Sequence, residues 1–143
     1  MKKKILLLLF SFIGLVDSIY LSLPYVSGVT TYCSLGEKLS CDVVLNSQYS
    51  DLFFGIPNAF LGVLFYLSLI LIFSFFKTSF KNKLLKLSIL LTFTASILYI
   101  YFIYLQAFVI KAFCLYCLTS AFLTFLIFSI LLSCYLKNKK TLL

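Results

Sequence analysis

The chain has 143 residues, of which 63% are hydrophobic, 19% aromatic and 11% charged. A soluble domain is roughly half apolar and a quarter charged, so a water-soluble globule is excluded, and the absence of His removes imidazole catalysis and His-ligated metal. The net charge of +8 comes from twelve Lys against four acidic residues, with no soluble basic face that would bind nucleic acid.

In chain order, the first apolar run covers residues 5–26 and follows Lys2, Lys3 and Lys4. It imitates a secretory signal, but the run is too long and no small-residue cleavage site follows, so a retained helix is expected. Asp17 sits inside it, and an intramembrane carboxylate is a candidate functional group or a polar contact between helices. Pro24 is expected to stop or kink this helix near its end. Residues 27–55 form a loop in which Gly28, Gly36, Ser, Thr and Asn indicate irregular chain. Within it, Ser40 is placed to cap a short amphipathic helix over 42–48, with Val43, Val44 and Leu45 resting on the membrane surface.

A second run covers 56–76, opening on Pro57 and Asn58; proline suits a first helical turn. Lys77, Lys81, Lys83 and Lys86 surround the turn into a third run over 84–110, and Lys111 precedes a fourth over 113–136. Each run reaches the roughly 20 residues that a bilayer requires, and none alternates with period two, so transmembrane helices are expected. The fold class expected is all-α: one integral-membrane domain over 1–143, a four-helix bundle whose loop carries a short capping helix. Three Lys clusters on one side, against Lys38 and Lys111 on the other, place both termini in the cytoplasm and the loop outside.

With that topology, four of the five Cys share the outer face. Cys33 and Cys41 lie in the loop; Cys114 and Cys117 form Cys-Leu-Tyr-Cys at the start of the fourth span; Cys134 is almost a full span away and reads as a small buried residue. Thiols on an oxidising surface are structural disulfides or redox centres. A C-x-x-C at a helix N-terminus favours the reactive thiolate, and a second pair nearby suggests a relay that passes two electrons by thiol–disulfide exchange. Other readings are two structural disulfides, a zinc site built from all four thiolates, and a soft-metal-ion permease using the outer pairs. A bundle needs no staple, an oxidising face disfavours free thiolates, and no span carries a mid-membrane thiol. A relay ending at the membrane needs a lipid-soluble acceptor, for which a quinone (menaquinone or ubiquinone) is the natural choice. Cys117, one turn deeper than Cys114, would face it, and the Asn58 amide could donate to a quinone carbonyl.

Taken together, Cys33-x7-Cys41, the stretch Cys41-Asp-Val-Val-Leu-Asn-Ser47, Phe54-Gly-Ile-Pro-Asn58-Ala-Phe-Leu-Gly62 and Cys114-Leu-Tyr-Cys117 resemble the bacterial, quinone-reducing members of the vitamin K epoxide reductase family. The resemblance implies a four-helix bundle around a quinone. It makes Cys117 the quinone-reducing thiol, Cys114 its partner, and Cys33 and Cys41 the shuttle pair. It also assigns Ser47 to the family's loop hydroxyl and Asn58 to the amide that holds the quinone oxygen. Ala121 stands where animal members carry Tyr, which argues against vitamin K epoxide as substrate. Some bacterial relatives carry a fused thioredoxin-like domain; none follows the fourth span here, so a separate DsbA-type thioredoxin-fold partner is expected. The DsbB type of oxidase has the reverse order of Cys pairs. The expected function is therefore quinone-linked disulfide bond formation at the inner membrane.

Overall fold

Apolar runs in lipid must satisfy every backbone amide internally, which selects helices. The computed structural model describes residues 2–28, 33, 36, 38–53, 55–75 and 81–140. The elements in order are α1 (Lys2–Ser27), α2 (Cys41–Leu45), β1 (Asp51–Phe53), β2 (Ile56–Pro57), α3 (Asn58–Ser74), α4 (Lys81–Tyr104), a π-helical segment (Leu105–Ile110) and α5 (Leu115–Lys140). Stretches long and apolar enough to cross a bilayer are Lys3–Ser27, Asn82–Ile110 and Leu115–Lys137. The apolar helix α3 is shorter, at 17 residues. Large side chains such as Ile5, Phe12, Leu64, Leu90 and Phe122 are exposed on these helices, as surfaces facing lipid must be. This is a multi-pass membrane protein.

Helix α1 packs against α3 and α5, and α5 packs against α4, whereas α3 and α4 meet only sparsely. Away from the loop, Leu7, Tyr66, Leu69, Phe73, Ile127 and Leu131 form one buried cluster, with Lys4 Nζ donating to the Ser74 carbonyl at 3.0 Å. Small residues allow the α1–α3 approach. A Cβ at Gly14 would stand 2.3 Å from the Tyr66 ring, and one at Gly62 would stand 2.8 Å from Ser18 Oγ. Hydroxyls within the helices, including Ser11, Ser22, Ser88 and Thr92, donate to carbonyls one turn back, so they add no unsatisfied group.

Several boundaries differ from those expected. Pro24 neither stops nor ends α1, which continues to Ser27. Proline near a C-terminal turn removes one amide only, and Gly28 N–H closes the helix on the Pro24 carbonyl at 3.0 Å. The capping helix is Cys41–Leu45 and not 42–48, because Asn46 ends it with both backbone and side-chain amides on the Asp42 carbonyl. Its Leu45 is buried, not laid on the membrane surface, while Val43 is exposed. The segment before the second span is a small antiparallel hairpin, Asp51 opposite Pro57, turning at Gly55 with φ +77°. Helix α3 therefore starts at Asn58. Helix α4 begins at Lys81, and its apolar run finishes in π-helical form before Lys111 reverses the chain at φ 57°. Phe76 at the expected end of the second span, Lys77, and residues 29–32, 34, 35, 37 and 54 of the loop lie outside the described residues.

Candidate functional site

The loop is fixed to the bundle end by a few specific contacts. Ser40 has extended backbone and caps α2, accepting from Val43 N–H at 3.5 Å. Tyr25 of α1 donates its hydroxyl to the Leu45 carbonyl at 2.8 Å, holding the other end of α2. Leu39 forms a parallel bridge with Phe113, whose amide donates to the Lys38 carbonyl at 2.9 Å. That bridge lays the loop beside the residue that precedes the Cys-Leu-Tyr-Cys motif.

The consequence is a sulfur cluster. Cys33 and Cys41 form a disulfide with a Cα–Cα distance of 5.4 Å. Cys114 is a free thiol, and its sulfur and the two disulfide sulfurs all lie within 4.8 Å of one another. All three residues are buried, with Leu21 and Leu45 around them. Two of the three sulfurs are already bonded to each other, so this cluster does not offer three thiolates to a soft metal ion. Cys134 packs against the opposite cluster and takes no part.

Cys114 precedes the first residue of α5, and Cys117 lies in the first turn. The Cys117 amide donates to Cys114 Sγ at 3.2 Å. The Cys117 thiol also hydrogen-bonds Cys114 and holds it below its ordinary pKa, against the opposing effect of burial. Gln106, buried in the π-helical segment, accepts the Cys114 N–H on Oε1 at 2.9 Å. A wider helical turn at that point aims a side chain across to the next element, a common use of π segments at functional sites.

Beneath the cluster, α1, α3, α4 and α5 enclose a cavity of about 430 Å³ with mostly apolar walls. Cys117 lines it; Cys114 does not. Asn58 lines it near the loop, its backbone N–H on the Ser50 carbonyl at 2.9 Å and its Nδ2 donating to the Tyr49 carbonyl at 3.2 Å. Asn58 Oδ1 is buried without a partner. Ser47 also lines the cavity, although its hydroxyl donates to the Val44 carbonyl at 2.7 Å.

The matching family model, described as the vitamin K epoxide reductase family, covers residues 5–132. The chain belongs to that family. No curated protein sequence gives a significant match. Membership makes this vitamin K epoxide reductase family protein a membrane thiol–disulfide oxidoreductase. Members of the family use quinones and thioredoxin-fold redox partners.

All six residues singled out from sequence thus converge on one end of the molecule, the four Cys as two adjoining pairs and Asn58 and Ser47 on the cavity wall. Two further residues of the site emerge only from the structure. Gln106 is a lone amide in an otherwise apolar run, and that isolation is the signal that marks it. Tyr25 carries no such signal, because aromatic residues are common throughout the chain.

Proposed function

We propose that this chain is a quinone-reducing thiol oxidase that supports disulfide bond formation outside the cytoplasm. A thioredoxin-fold partner of the DsbA type delivers its two electrons to the Cys33–Cys41 disulfide, becoming oxidised itself. The loop dithiol then reduces a Cys114–Cys117 disulfide by exchange through a Cys41–Cys114 mixed disulfide. Cys117 hands the pair of electrons to the cavity. The arrangement of an oxidised loop pair beside a reduced C-x-x-C corresponds to the state after that internal transfer.

The cavity fits the acceptor. Its volume is within the roughly 300–1,000 Å³ of small-molecule sites. Its walls are apolar, and its one orphaned polar atom among the described residues, Asn58 Oδ1, suits a hydroxyl donor, with the amide's second N–H left for a carbonyl. A bound quinone supplies the two-electron, two-proton acceptor chemistry. Asn58 and Cys117 would hold and reduce it, and Ser47 would support the wall nearest the loop. The observation that carries this reading is that the Cys114 sulfur lies within 4.8 Å of both loop-disulfide sulfurs while Cys117, one turn on, lines the cavity.

The fold that serves this reading is a four-helix bundle capped by α2, with α3 as the fourth span. Lys clusters at the chain termini and between α3 and α4 support cytoplasmic termini, an outward-facing site and residence in a bacterial inner membrane. The test is stoichiometric. Purified in detergent with a reduced thioredoxin-fold donor, the protein should form one quinol for each donor disulfide; donor oxidation without quinol would overturn the proposal.

A further inference from the structure

Asp17 is the one acidic residue in the membrane-spanning helices, since the other three acids are in the loop at positions 37, 42 and 51. It is 8% exposed, and no cation pairs with it among the described residues. Such a carboxyl is costly in hydrocarbon, and an amide or hydroxyl would bridge two helices at lower cost. Among the described residues, it accepts a direct hydrogen bond from Ser120 Oγ on α5. Ser120 lines the cavity, one turn beyond Cys117, which lines the same wall. Tyr66 of α3 fixes that turn, its hydroxyl donating to the Ser120 carbonyl at 2.8 Å and lying 3.0 Å from Thr124 Oγ1. The titratable groups that face this assembly are Tyr66 from α3, Tyr99 from α4, and Cys114, Tyr116 and Cys117 from α5.

We propose that Asp17, acting through the Ser120 hydroxyl, relays the proton between Cys117 and the acceptor in the cavity. This rests on the quinone reading above. Oxidation of Cys114 and Cys117 breaks two S–H bonds, forms one S–S bond and releases two electrons; reduction of a quinone forms two O–H bonds. Asp17 takes the Cys117 proton by way of Ser120 and returns it by the same hydroxyl to the nearer oxygen. The Cys114 proton leaves to water at the loop end, and water there supplies the second O–H proton. Asp17 is a positioning residue for the proton, because Ser120 stands between it and the substrate.

The experiment uses Asp17→Asn, Asp17→Glu and Ser120→Ala in the full chain. In the quinone-free protein, the infrared band of the Asp17 carboxyl, identified by its loss in Asp17→Asn, should shift when Cys114–Cys117 is cycled between dithiol and disulfide. That shift should vanish in Ser120→Ala. In a single turnover with quinone, Asp17→Asn should slow quinol formation about a hundredfold, as expected when proton transfer loses its carrier. Asp17→Glu should recover most of the rate, and transfer from the loop pair to Cys114–Cys117 should be unchanged in both. A carboxyl band indifferent to the Cys pair, or quinol formed by Asp17→Asn at the wild-type rate, would overturn the relay. Should Asp17→Asn fail to fold, the displacement of the band in Asp17→Glu identifies it, and Ser120→Ala carries both measurements. A wild-type protein that reduces no quinone would refute the functional proposal instead, and the infrared band would still decide the relay.

Discussion

Cys114 Sγ lies within 4.8 Å of Cys41 Sγ, although one residue opens the short helix of the loop and the other directly precedes the last helix. The Leu39–Phe113 bridge explains the approach, since it registers the chain just before Cys41 against the chain just before Cys114. Disulfide exchange requires a thiolate to reach a disulfide sulfur, and this packing leaves only a small movement to make.

That proximity leads to a trapping experiment. In Cys33→Ala/Cys117→Ala, neither resolving thiol remains, so mild oxidation should accumulate a Cys41–Cys114 disulfide detectable by mass spectrometry of peptides. In Cys41→Ala/Cys117→Ala, the Cys33–Cys114 bond should accumulate more slowly. The opposite ranking would make Cys33 the internal exchange partner and Cys41 the one that meets the donor.

Cys114 reactivity should depend on pH in a defined direction. Its pKa is depressed by the Cys117 thiol, so the thiolate persists to lower pH than for an ordinary cysteine, at about 8.5. Any stability this bond contributes is present at high pH and is lost as pH falls through the depressed value. Alkylation of Cys114 in the reduced protein should therefore rise at a pH below the ordinary thiol range, and Cys117→Ala should move that rise upward. An unmoved profile would show that the thiol hydrogen bond is not the cause.

Replacing Gln106 tests the π-helical segment. Gln106→Leu removes the acceptor of the Cys114 N–H and leaves a buried donor unpaired, at a cost of about 1–3 kcal/mol. Unfolding in detergent should register that loss, and exchange between the Cys pairs should slow because the Cys114 backbone is no longer held. Unchanged stability and exchange would mean that the amide finds another acceptor.

Two glycines should respond unequally to Ala. At Gly14 the new methyl meets the rigid Tyr66 ring at 2.3 Å, whereas at Gly62 it meets the Ser18 hydroxyl at 2.8 Å, which can rotate. Overpacking costs about 1–3 kcal/mol, so Gly14→Ala should be the more damaging by thermal unfolding, and it should also disturb the Tyr66 contact with Ser120. Equal melting temperatures would contradict the α1–α3 packing described.

Much of this arrangement is legible in the sequence because the membrane simplifies it. Hydropathy locates α1, α4 and α5, and it also finds α3, where the run is shorter. The Cys spacing places four sulfurs at one end. What periodicity leaves out are contacts between remote positions: Tyr25 on Leu45, Gln106 on Cys114, Ser120 on Asp17. The hairpin before α3 escapes a reading of the sequence because its two short strands, around Gly55 and ending at Pro57, carry no alternating pattern long enough to see. Proline is a helix breaker by rule, but the place of Pro24 in the final turn of α1 leaves little helix to break.

The central claim is that Cys117 passes electrons into the cavity. It is tested most directly by quinol formation in Cys117→Ala, with reduced donor and added quinone, beside the wild-type protein. The wild type should turn over and the variant should produce no quinol while still exchanging disulfides between donor and loop. Quinol formed by Cys117→Ala at the wild-type rate would contradict the account.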